Sequence, residues 1–127
     1  VDGFGSRSEL VESLKTDRYQ TFSQFWSFYL SEHSVPQCRL QHFFGTSIAL
    51  TLIVVMVLTG DTVWLLAAVI SGYACAWWGH FVFEKNRPAT FRYPLWSFIG
   101  DWKMFWMMLN GTLDDELRRL GIRSRRG

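Results

Sequence analysis

Charged positions vanish from the middle of the chain. Between Arg39 and Asp61 no side chain is formally charged apart from the titratable His42, and between Asp61 and Glu84 only Tyr73, Cys75 and His80 can titrate. A spanning helix needs about 20 predominantly apolar residues, and each gap is of that length. The runs FFGTSIALTLIVVMVL and, after TGDT, VWLLAAVISGYACAWWGHFVF predict a helical hairpin over residues 40–58 and 63–83. Two helices buried in a soluble bundle would show the same pattern, but the length of both runs favours the membrane. Both lie internally with no charged leader or small-residue cleavage site before them, so neither reads as a signal peptide.

The flanks alternate instead of running apolar. Upstream, Ser8 can cap a helix with Glu9 and Glu12 in its first turn, and Phe22, Phe25, Trp26 and Tyr29 fall on one helical face that ends near Glu32, before Pro36. Downstream, NRPATFRYP is too proline-punctuated for a helix. Asp101 is then expected to cap a segment whose Trp102, Phe105, Trp106 and Leu109 share a face, ended by Asn110 and Gly111. Such stripes suit helices lying in the membrane interface or packed over the hairpin. Thr112 and Asp115 open a last short helix closed by Gly121, and the basic tail 121–127 is expected to be frayed and free to touch anionic lipid. The expected fold class is therefore all-α: an integral membrane hairpin of two spanning helices flanked by amphipathic interfacial helices, in one domain covering 1–127. Nothing in the chain repeats.

Lys and Arg flank the hairpin and are missing from its tip, which predicts a multi-pass protein with both termini cytoplasmic, in a bacterial inner membrane or the endoplasmic reticulum. Trp64 near the tip and Trp77 and Trp78 near the other end suit aromatic belts and suit a packed core equally well. The 127 residues leave room for one domain, and 49% apolar with 17% aromatic residues excludes a disordered chain. A net charge of +2 and the lack of a Gly-rich phosphate loop argue against nucleic acid as a partner. Cys38 and Cys75 differ in depth by roughly 10 Å at 1.5 Å per residue, beyond the reach of a disulfide, and are expected as free thiols or small core residues.

The three histidines carry the chemistry. His42 lies about 18 residues before the tip and His80 about 20 after it, so both sit roughly 27–30 Å from the tip, level with one another. His33, at the end of the first helix, can fold back onto the same layer. A single buried histidine is usually a core residue, whereas three at one depth favour a metal. Glu84, four positions after His80, can chelate the same ion, orient the imidazole or pair with Lys85 or Arg87 at a solvated rim; Glu32 offers another carboxylate. Histidines with a carboxylate and open positions suit non-haem Fe(II), and zinc is also compatible.

The strings FWSFYLSEHSVPQCRLQHFFGT, residues 25–46, and GHFVFEKNRPATFRYPLWSFIGDWKMFW, residues 79–106, closely resemble the Mpo-like 2-hydroxy fatty acid dioxygenases, over about residues 20–110. The resemblance implies an Fe(II)-dependent membrane enzyme that uses molecular oxygen to shorten a 2-hydroxy fatty acid by one carbon, a step of α-oxidation, with the family's histidines falling on His33, His42 and His80. On that footing Arg39, Lys85 or Arg87 can receive the substrate carboxylate, Arg87 best because its fork suits a bidentate pair. Asn86, Tyr93 and Asp101 can position these groups, or can simply cap and anchor the chain. A non-catalytic membrane protein or lipid-binding subunit, and a zinc hydrolase, are the competing readings.

Overall fold

The computed structural model describes residues 19–126, and among them every regular element is helical. Five α-helices follow in order: α1 Phe22–Ser31, α2 Pro36–Thr59, α3 Val63–Trp78, α4 Pro94–Leu109 and α5 Leu113–Arg119. A π-helical segment, Gly79–Glu84, continues α3, and a single 3-10 turn, Ala89–Phe91, precedes α4.

Proline and glycine set the hairpin's limits. Pro36 occupies the first turn of α2, where its missing N–H costs nothing, and holds Val35 extended, so the helix begins four residues earlier than the apolar run alone predicts. Gly60 closes α2 in the left-handed conformation at φ 72°, and the Asp61 carboxylate accepts from Val63 N at 3.0 Å to start α3. A Cβ at Gly45 would lie 2.8 Å from Cys75 Cβ, and one at Gly79 would lie 3.2 Å from the Cys38 backbone, so small residues let α2 and α3 approach at two levels. These crossings place His42 and His80 against each other. Both cysteines are free.

At 24 residues α2, and at 22 residues Val63–Glu84, are long and apolar enough to cross a membrane. Much of their apolar surface, including Val54, Val57, Leu58, Leu66 and Ile70, has no protein over it. The protein core lies instead at the end away from Gly60, where Phe25, Trp26, Tyr29 and Leu30 of α1 meet Tyr93, Met104, Leu113 and Leu117. The α1 aromatic face is the one its spacing predicts. Its start is not a continuous run from Ser8: among the described residues the helix begins at Phe22, capped by Thr21, whose hydroxyl accepts from Gln24 N, and the Ser8, Glu9 and Glu12 expectation lies outside the described residues.

Three expectations about the second half are corrected. Asp101 does not cap α4; Pro94 begins that helix seven residues earlier, and Asp101 turns inward to accept a hydrogen bond from the Tyr29 hydroxyl. The packed face of α4 is Ser97, Gly100 and Met104, because only glycine leaves room for the Tyr29 ring, which a Cβ at Gly100 would meet at 3.2 Å; Trp106 and Leu109 of the expected stripe point outward. Among the described residues the C-terminal tail is docked rather than frayed. Arg125 N donates to Ser34 O at 2.8 Å, its Nε to Ser34 Oγ at 2.7 Å and its Nη2 to Glu84 at 2.7 Å, strapping the chain end across the start of α2.

Candidate metal centre

The turn after α1, the second turn of α2 and the π-helix each deliver one imidazole to the same point. Ring centroids of His33 and His42 lie 4.4 Å apart, those of His33 and His80 4.4 Å, and those of His42 and His80 4.9 Å, with each pair of planes nearly perpendicular. All three side chains are buried. Their level depth follows from the hairpin arithmetic, and His33 folds back as its position beside Pro36 allows.

Each ring has one nitrogen already committed. His33 Nδ1 lies 2.6 Å from Tyr29 O, His42 Nδ1 2.9 Å from Cys38 O, and His80 Nδ1 2.7 Å from Asn86 Oδ1. The Asn86 amide is oriented by its other end, where Nδ2 donates to Glu32 O at 3.0 Å. Three oxygen acceptors require three protonated Nδ1 atoms, which leaves every Nε2 as a lone pair. His33 Nε2 and His42 Nε2 are 3.1 Å apart with no proton between them in that tautomer, a repulsive contact unless a cation sits among the rings. Burial, and after it His42 and His80, hold the His33 imidazole well below its ordinary pKa, so it stays neutral and able to donate its lone pair.

Asn86 reaches His80 because Lys85 takes a left-handed conformation at φ 59°, the one non-glycine residue with positive φ among the described residues. That turn ends the π-helix and folds Asn86 back, its N–H donating to His80 O at 3.0 Å. Asn86→Ala frees the His80 ring and should weaken metal binding about 10- to 100-fold with little loss of helix, read by competition with a chelator and by circular dichroism.

The donor cluster has a fourth member. Ligand atoms of His33, Cys38, His42 and His80 all lie within 4.8 Å of one another, so this group can hold a metal ion. Cys38 Sγ stands 3.8 Å from His42 Nδ1, on the side of that ring away from its free nitrogen. The C-x-x-x-H spacing, which puts both residues on one helical face, was the available signal for it.

The three imidazoles border a cavity of about 10 Å³, enough for one water or ion, whose walls include Tyr29, Tyr73, Trp77, Thr90, Ser97 and Asp101. Ser97 is 1% exposed and its hydroxyl has no hydrogen-bond partner among the described residues, an orphan on a residue that lines the same cavity and that no sequence pattern marks. Burial pushes the Asp101 carboxyl up to about 7, while the hydrogen bond from Tyr29 works the other way.

Glu84, Arg39 and Arg87 do not join this cavity. Glu84 accepts from Val35 N and from Ser34 Oγ at 3.3 Å, capping the start of α2, and meets Arg125 rather than His80. Arg39 donates to His33 O at 2.7 Å and to Ser124 Oγ at 3.0 Å, tying the His33 turn to the C-terminal strap. Arg87 is exposed, its guanidinium 5.4 Å from the Phe91 ring, which packs on the cavity wall residue Trp77 at 5.3 Å. Glu84→Ala orphans the Val35 N–H and removes the carboxylate partner of Arg125, which keeps its bonds to Ser34. It should cost about 2–4 kcal/mol, reduced because Arg125 is half in solvent, while sparing stoichiometric metal; denaturant unfolding in detergent with metal analysis reads both.

No curated protein and no solved structure matches the chain. A family model described as 2-hydroxy-palmitic acid dioxygenase Mpo1-like matches residues 19–113, which hold α1 to α4, all three histidines, Cys38, Asn86 and Ser97. On a match of more than half its length, the chain belongs to the Mpo1-like family.

Proposed function

We propose that the protein is a membrane-embedded Fe(II) dioxygenase that shortens long-chain 2-hydroxy fatty acids by one carbon, with His33, His42 and His80 as the metal ligands. The observation that carries this is the set of three free Nε2 lone pairs, each fixed by an acceptor on its own Nδ1, converging beside an unpaired hydroxyl. The family's name supplies the substrate class. A ferrous ion bound there would supply chelation of the 2-hydroxy acid and one-electron chemistry toward oxygen.

The chain's own groups then have definite tasks. Ser97 offers its hydroxyl to the polar end of the substrate, gaining the partner it lacks. The Tyr29 hydroxyl donates to Asp101 at the cavity wall and fixes that carboxyl in place. Trp77 and Phe91 exclude water, and Arg87 beside them at the rim captures an arriving carboxylate before it passes inward. Arg39 and Glu84 act at a distance, holding the His33 turn and the start of α2. The uncovered apolar surface of the hairpin supports a bilayer around it, with the Lys- and Arg-bearing histidine end cytoplasmic.

Cobalt(II) reports the donor set without turnover. One equivalent bound through the imidazoles should show visible bands that shift with a 2-hydroxy fatty acid and hold still with the unsubstituted acid. An equal response to both acids, or no stoichiometric cobalt, would sink the assignment. The same three-imidazole set also serves hydrolytic zinc, and a zinc-loaded protein that works under argon would establish that reading instead.

A further inference from the structure

A second cavity, about 270 Å³, begins where the histidine cavity ends: His42, Tyr73, Ala76 and Asp101 line both. It runs down the hairpin between two matching stripes. On α2 these are His42, Thr46, Ala49 and Ile53, and on α3 Ala76, Gly72, Ala68 and Leu65, each advancing by three or four residues and covering eleven. Along these two stripes the positions between His42 and Ile53 and between Ala76 and Leu65 are small, and Tyr73, Val69, Phe98 and Trp102 complete the walls. Eleven residues of helix are about 16 Å, the length along which an extended hydrocarbon chain can lie in this cavity.

We propose that this groove holds the substrate's acyl chain, fed from the histidine centre, and that Ile53 and Leu65 mark the depth at which the protein stops gripping it. An extended chain advances about 1.2 Å per bond, as a polypeptide does over its three bonds per residue, so the groove grips about thirteen methylenes. Continuity with the histidine cavity selects a single-chain amphiphile carrying its polar group at one end. The proposal rests on the reading of the histidines as the site of carboxyl-end chemistry, and names what that reading leaves open, the part of the protein that measures the chain. Gly72 adds width: a Cβ there would meet Ala49 Cβ and Gly45 O at 3.8 Å, ordinary contact distance, so the helix backbones accept a side chain at this point of the groove wall.

Photo-crosslinking maps the chain without relying on turnover. Iron-loaded protein in lipid nanodiscs under argon is mixed with 16-carbon 2-hydroxy fatty acids carrying a diazirine near carbon 6 or near carbon 14, and labelled residues are located by mass spectrometry. The carbon-6 probe should label around Thr46, Ala49 and Gly72, and the carbon-14 probe around Ile53 and Leu65. Gly72→Leu should keep its metal and lose at least ten-fold of the carbon-14 labelling. Labelling spread over Val54, Val57 and Ile70 without depth order would overturn the groove whether or not the variant folds. Ordered labelling in a protein that never shortens the acid in air would uphold the groove and reject the reaction; shortening without ordered labelling would do the reverse.

Discussion

Any one of His33→Ala, His42→Ala or His80→Ala is expected to strip the protein of its metal while leaving its helices intact. Structural zinc bound by four ligands gains an apparent 10–16 kcal/mol, so one ligand is worth about 3–4 kcal/mol, a loss of several hundred-fold in affinity. The variants carry a second, less obvious signature. His33 Nε2 and His42 Nε2 stand 3.1 Å apart as two lone pairs, a repulsion that a bound cation would remove and that loss of one ring would also relieve. Metal-free His42→Ala should therefore unfold no more easily than metal-free wild type, whereas metal should raise the stability of wild type alone. Chelator titration with thermal unfolding, run with and without metal, reads both. A buried-core role for the histidines predicts the opposite, a loss of stability that metal does not affect.

The second large effect is discrimination by the 2-hydroxyl. A site built around a substrate hydroxyl rejects the analogue lacking it by about 10⁴-fold or more, because the groups that should meet it stay unpaired. In the proposed site Ser97 is such a group, a buried hydroxyl with no hydrogen-bond partner among the described residues. Palmitic acid should thus be inert where 2-hydroxypalmitic acid is turned over, although both fill the same groove. Ser97→Ala should narrow this preference by about 10- to 100-fold, the worth of one buried hydrogen bond, and do so mainly through the hydroxylated acid. Competition kinetics with the two acids, for wild type and variant, gives the ratio directly.

The parts of this architecture visible in the sequence are those governed by local rules. Two uninterrupted apolar runs define the hairpin, and a fixed rise per residue puts His42 and His80 at one level. Proline at the first turn of a helix is also a local rule, and its neglect cost the true starts of α2 and α4. Contacts between distant positions were invisible. Arg125 and Ser34 are 91 residues apart, and nothing in a basic tail says that it will strap across a helix start. The four-residue spacing offers Glu84 as one orienter of His80, but Lys85 turns the chain back and delivers Asn86 instead. Gly100 sits within α4 because the Tyr29 ring needs the space, a reason no local pattern carries. Ser97 acquires its meaning only when three imidazoles from other elements line the same cavity.

The central claim, that these three imidazoles hold an iron at which a 2-hydroxy fatty acid loses one carbon, meets its most direct test in product analysis. Iron-loaded protein in nanodiscs is incubated with 2-hydroxypalmitic acid in air and under argon, and the acids are resolved by mass spectrometry. The account predicts the acid one carbon shorter in air, none under argon, and none with zinc in place of iron, since zinc has no redox chemistry to offer oxygen. Shortening that persists under argon, or full iron occupancy with no shortened acid in air, would contradict it.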